Sequence, residues 1–113
     1  MPLISTHVLN SENGTHVAGL TVTLTYIEPD GGRKKIFSNK TDTGGRLVQN
    51  FDFILTSNEI FEIAFKLSDI HNKKKGIYCN DIIFRVSLSS ENDKFHIPII
   101  VSQHGASTWW SGE

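Results

Sequence analysis

The chain has 113 residues, 38% hydrophobic and 20% charged, with 11 Lys and Arg against 12 Asp and Glu for a formal net charge of −1. That length fits one domain, residues 1–113, able to bury a core without disulfide staples, and the composition is too apolar for intrinsic disorder. The near-neutral balance gives no clustered basic surface for nucleic acid or an anionic membrane, and no stretch approaches the roughly 18 uncharged apolar residues of a membrane span.

In chain order, Leu3 to Asn10 reads as a first strand, with Ser5, His7 and Leu9 on one face and Thr6 and Val8 on the other. Gly19 to Ile27 is a second, since Leu20, Val22, Leu24 and Tyr26 alternate with Thr21, Thr23 and Thr25. Glu28-Pro29-Asp30-Gly31-Gly32 supplies a fixed φ and a glycine able to take positive φ, so it reads as a hairpin turn into a strand at Lys34 to Asn39. Thr43-Gly44-Gly45 is the next break. Phe61 to Leu67 and Ile82 to Leu88 alternate again. Between them Ser68 to Gly76 predicts a short helix, capped by Ser68 and ending in Lys73, Lys74 and Lys75 at the negative end of its dipole. With Phe95 to Val101 the pieces amount to about seven or eight strands at the spacing of a β-sandwich. The fold class is all-β with one short helix.

The last strand points to assembly. Phe95, Ile97, Ile99 and Val101 fill a core, yet the opposite face carries His96, Pro98 and Ile100, too apolar for a solvated sheet. Trp109-Trp110 adds two indoles near the end of the chain, and a contiguous apolar surface marks an interaction site.

Chemistry-bearing motifs are few. There is no P-loop, nucleophile elbow, HExxH or dinucleotide fingerprint. Cys79 stands alone, so no internal disulfide forms and a reducing, cytoplasmic setting is expected. Five histidines remain. His7 and His96 both lie on strands among β-branched and apolar residues, and imidazole titrates near neutral pH, which suits acid–base work. His16 and His71 fall in turns and have no evident role. A zinc triad of His7, His96 and His104 lacks any fixed spacing.

Three segments carry a resemblance: Ser5-Thr6-His7-Val8-Leu9-Asn10, the turn Gly44-Gly45-Arg46, and Phe95-His96-Ile97-Pro98-Ile99-Ile100-Val101-Ser102 leading into Ser107-Thr108. In this order they resemble the signatures of the 5-hydroxyisourate hydrolases, transthyretin-like enzymes of urate degradation. Gly14 and Ala18-Gly19-Leu20 fall at that family's turn from first to second strand. The chain departs from the family at its end, where Trp109-Trp110-Ser111-Gly112-Glu113 replaces a Tyr-Arg-Gly-Ser tetrapeptide. It departs also at Asp42-Thr43-Gly44-Gly45-Arg46 and at Tyr78-Cys79-Asn80.

The resemblance implies a two-sheet transthyretin-like sandwich assembled as a homotetramer, a dimer of dimers whose channel holds sites built from facing subunits. It carries His7, Arg46, His96 and Ser107 over as catalytic residues, with Trp109 beside them at the substrate, and requires neither metal nor organic cofactor. In the implied reaction one imidazole takes a proton from water, the other orients substrate or protonates the departing nitrogen, and Arg46 stabilises developing negative charge. The alternative is a transthyretin-like carrier that binds an apolar ligand in the same channel without turnover.

Overall fold

Leu3–Asn10 forms strand β1, with Ile4, Thr6 and Val8 turned inward at every second residue, as the pleat requires. The structure is a computed structural model that describes residues 1–70 and 76–113. Beyond β1 the chain makes β2 (Thr15–His16), β3 (Thr21–Ile27), β4 (Arg33–Lys40), β5 (Arg46–Asn50) and β6 (Glu59–Lys66). After a 3₁₀ turn at Leu67–Asp69 come β7 (Asp81–Leu88), β8 (Lys94–His96), β9 (Ile99–Val101), β10 (Ala106–Thr108) and β11 (Ser111–Gly112).

These strands build the expected all-β sandwich of two sheets. One runs β4-β3-β6-β7. The other is centred on β1, with β5 and β2 along one edge, β8 and β9 along the other, and β11 and β10 beyond those. The expected hairpin joins β3 to β4: Gly31 sits at φ 91°, its N–H donates to Glu28 O at 2.9 Å, and Glu28 N–H donates to Gly32 O at 2.8 Å.

The core lies between the sheets. Leu20, Val22 and Leu24 come from β3 and its approach, Phe61, Ile63 and Phe65 from β6, and Ile4, Val8, Ile97, Ile99 and Val101 from the β1 sheet. Phe61 has no exposed surface and meets Phe53 and Phe51 edge-on, at centroid distances of 5.1 and 5.8 Å. Burying each such side chain stabilises the fold by about 1.5–3 kcal/mol. The outer face of the other sheet is polar in part, with Glu62 held between Arg33 and Arg85 at 2.6 and 2.8 Å.

Three expectations need correction. Phe95 to Val101 is not one strand: it divides at Pro98, which lacks the N–H needed to continue a ladder. The carbonyls freed there are taken by side chains, with Thr6 Oγ1 donating to Ile97 O at 2.6 Å and Thr108 Oγ1 donating to Pro98 O at 2.6 Å. Pro98 itself is buried, so only His96 and Ile100 of the expected outer face are accessible. Of the helix expected over Ser68 to Gly76, the described residues show a 3₁₀ turn at Leu67–Asp69, whose N-cap is Lys66 with no side-chain cap. Ser68 lies inside that turn, and Lys73, Lys74 and Lys75 lie outside the described residues. Finally, His16 is in a strand rather than a turn. Among the described residues no helix is long and apolar enough to cross a membrane.

Candidate active site

Strand register places the candidate residues. His7 stands opposite Arg46 on β5, and Ser5 stands between Val48 on β5 and His96 on β8. Leu9 stands between His16 on β2 and Ile100 on β9, and Ile100 faces Ser107 on β10. Directly paired residues share a sheet face. Because Ser5, His7 and Leu9 share the outer face of β1, the side chains of Arg46, His96, Ser107 and His16 lie on that face as well. The pairings on either side of Pro98 have the same register, which sets Pro98 beside His7 and Trp109 opposite Pro98. Trp109 therefore joins the outer face, 48% exposed, whereas Trp110 turns to the sandwich edge and lines a cleft with Val86 and Ile97. Outward residues two apart on a strand are about 7 Å apart. The five candidates thus share one sheet face within one chain.

The turn before β5 holds the cluster together. Asp42 Oδ1 accepts the N–H groups of Gly44 and Arg46, each at 2.9 Å, which keeps its carboxyl below the usual carboxylate range. Gly45 sits at φ 76°, and a Cβ there would come within 2.7 Å of Val8 O and 3.0 Å of His16 Cβ. Only glycine allows this turn to close against β1 and β2. Closure brings Gly44 O to 2.9 Å from His7 Nε2. A carbonyl only accepts, so Nε2 carries the proton and Nδ1 is left with the lone pair.

Electrostatics keep His7 neutral. Partial burial disfavours its cation, the Arg46 guanidinium repels it, and His16 and His96 add to the repulsion; together they hold it below its ordinary value of 6.5 despite the Gly44 carbonyl. His96 is fixed differently, with Nδ1 at 2.7 Å from Ser5 Oγ. Its Nε2 has no partner among the described residues.

Reading the sequence in turns missed His16. Its Nδ1 lies 3.0 Å from His7 Nε2 and the two rings stack at a centroid distance of 5.0 Å. The signal was present: Asn13-Gly14 after a strand is a hairpin dipeptide, and the returning chain must bring His16 back alongside β1. His104, in contrast, lies between β9 and β10 at a cavity lined by Leu67, Ile77 and Cys79. No group of three or more His, Cys, Asp or Glu side chains among the described residues is placed to hold a metal ion, so the zinc triad is not formed. Cys79 is free and exposed.

Fold and patch define a class, the transthyretin-type sandwich with imidazoles and a guanidinium on the outer face of its β1 sheet. The family described as HIUase/Transthyretin matches residues 4–111, and the chain belongs to that family. A curated relative, the 5-hydroxyisourate hydrolase of Halalkalibacterium halodurans, is 27% identical over 115 residues, covering 94% of each chain. Among solved structures, transthyretin from Sparus aurata is similar with a TM-score of 0.82 at 14% identity, covering 97% of both chains. The 5-hydroxyisourate hydrolase of Klebsiella pneumoniae has a TM-score of 0.74 at 20% identity, covering 98% of this chain and 99% of that one. At those identities the structural likeness establishes the fold.

Proposed function

We propose that this chain hydrolyses 5-hydroxyisourate to 2-oxo-4-hydroxy-4-carboxy-5-ureidoimidazoline, as a homotetramer whose dimer-of-dimers contact covers the outer face of the β1 sheet. One observation carries the reading: two imidazoles and a guanidinium from separate strands share that face, with His7 kept neutral. The hydrolase relative from Halalkalibacterium halodurans, matched along nearly its whole length, supports it.

In this reading His7 Nδ1 takes a proton from water as the oxygen adds to a ring carbonyl next to nitrogen. Arg46 stabilises the negative charge that develops on the carbonyl oxygen, and its fixed charge and several donors suit that task. The carbon–nitrogen bond then breaks, and His96 Nε2 delivers a proton to the departing nitrogen. Ser107 and Trp109 flank the ring, one by hydrogen bonding and one by its indole face. The free Cys79 suits a reducing, cytoplasmic compartment.

The exposed Trp109 and the close likeness to a transthyretin favour a second reading, a carrier of an apolar ligand. One assay separates the two. Urate oxidase generates hydroxyisourate, whose ultraviolet band is followed with and without the protein. Accelerated decay is expected of the hydrolase; decay at the spontaneous rate leaves only the carrier.

A further inference from the structure

We propose that His16 is a positioning residue for His7, the two imidazoles forming one hydrogen-bonded pair in which His16 Nδ1 accepts from His7 Nε2–H, holds the tautomer and takes over the proton. The inference rests on the hydrolase reading for its catalytic meaning, but the pair is a property of the free protein.

The 3.0 Å contact and the stacked rings are built in from several directions. β2 is tied to β1 through the pairs Leu9 with His16 and Asn10 with Thr15. The intervening turn is closed by Gly14 N–H donating to Asn10 O at 2.9 Å and by Asn13 Oδ1 accepting from Thr15 N–H at 3.0 Å. On the far side Val17 is buried, its N–H donating to Val8 O at 3.0 Å and its carbonyl accepting from Thr41 Oγ1 at 2.7 Å. The Gly45 turn packs against the His16 Cβ. A surface histidine without a task has no need of so many constraints.

Gly44 O orients the His7 Nε2–H, and His16 Nδ1 is the second acceptor within reach of the same hydrogen. Gly44 O cannot remove the proton, whereas an imidazole nitrogen can. When water gives a proton to His7 Nδ1, the Nε2 proton passes to His16 Nδ1. His16 is exposed, so its own Nε2–H proton leaves to solvent and both rings are neutral in the reversed tautomer; uptake of a solvent proton at His16 Nε2 and release of the His7 Nδ1 proton run the relay backward before the next turnover. Among the groups facing His7, Arg46 on β5 and His96 on β8 oppose a lasting cation, while the Asp42 carboxylate, held in the turn by two backbone N–H groups, is the one that attracts it.

The test uses ¹⁵N-histidine NMR titration and steady-state kinetics on the full chain, His16→Ala and His16→Asn, the last placing an amide oxygen near the position of Nδ1. In the wild type His7 is expected as the Nε2–H tautomer, titrating below its ordinary value. His16→Ala should move the His7 titration back toward its ordinary value, lower kcat about tenfold with KM within about twofold, and shift the acid limb of the pH profile to higher pH. His16→Asn should keep the Nε2–H tautomer of His7 but stay close to His16→Ala in kcat, because an amide oxygen, like the Gly44 carbonyl, cannot take the proton. Unchanged His7 titration and turnover in His16→Ala, or an Asn variant that turns over like the wild type, would overturn the pair. A wild type without hydrolase activity ends the hydrolase reading instead, and the titration still decides the pair.

Discussion

The base of the proposed hydrolysis must be neutral with a free lone pair, and at His7 both conditions are set by residues distant in the chain. The Gly44 carbonyl fixes which nitrogen carries the proton, and burial with the Arg46 charge disfavours the cation. His7 therefore stays unprotonated as pH falls through its ordinary value of 6.5, and kcat/KM should decline only below that pH. Arg46→Gln removes one source of the depression, so its slower turnover should show an acid limb moved to higher pH. A pH–rate profile of both proteins checks the sign; a wild-type limb above 6.5 contradicts it. Replacing His7 or His96 by alanine should each cost about 10²-fold or more in kcat/KM by the ultraviolet assay. Near-normal turnover in both variants removes the assignment.

At the scale of elements, the site depends on two short connections. Thr41 is buried, donates to Val17 O at 2.7 Å and accepts from Leu20 N–H at 3.0 Å, so it clamps the chain after β2 to the chain before β5. Thr41→Val leaves both backbone groups without a partner and should cost about 1–3 kcal/mol in urea unfolding. Gly45→Ala meets a carbonyl at 2.7 Å in a left-handed backbone and should cost about 1–3 kcal/mol of strain. It should also part His16 from His7, visible as a His7 titration moved back toward its ordinary value. Pro98 acts in the opposite sense: by breaking the ladder it spaces His96 from Ile100 without changing register, so both stay on the outer face.

For the whole molecule, core and site occupy opposite faces of the same sheet. Phe61→Ala should cost about 3–5 kcal/mol because its cavity is bounded by other rings that collapse only in part. Its hydrolysis at low temperature should stay near wild type, since none of the outer-face residues touches that cavity. On the outer face Val48 is 62% exposed beside the polar cluster. Apolar area of this kind is stabilised by contact with another surface. Light scattering should give the mass of four chains; a monomer with full turnover contradicts the covered face.

Much of this arrangement could be read in the residues before any coordinates. Period-two alternation identified the main strands, because a strand with one buried side imposes its pleat on the choice of side chains. The order of the three short segments around His7, Arg46 and His96 marked the family. The divided strand at Pro98 was readable in principle, since a missing N–H is a local property, but alternation alone overrode it. The cap expected at Ser68 was misplaced, since Ser68 lies inside the 3₁₀ turn at Leu67–Asp69, and the charge run of Lys73 to Lys75 lies outside the described residues. What no linear reading supplied was the convergence itself. His7, Arg46, His96, Ser107 and Trp109 come to one sheet face because β1 pairs on both edges with strands far along the chain, and the His7–His16 contact exists because a glycine turn presses two strands together. Pairing partners and register are long-range choices, made by the packing of the sandwich as a whole.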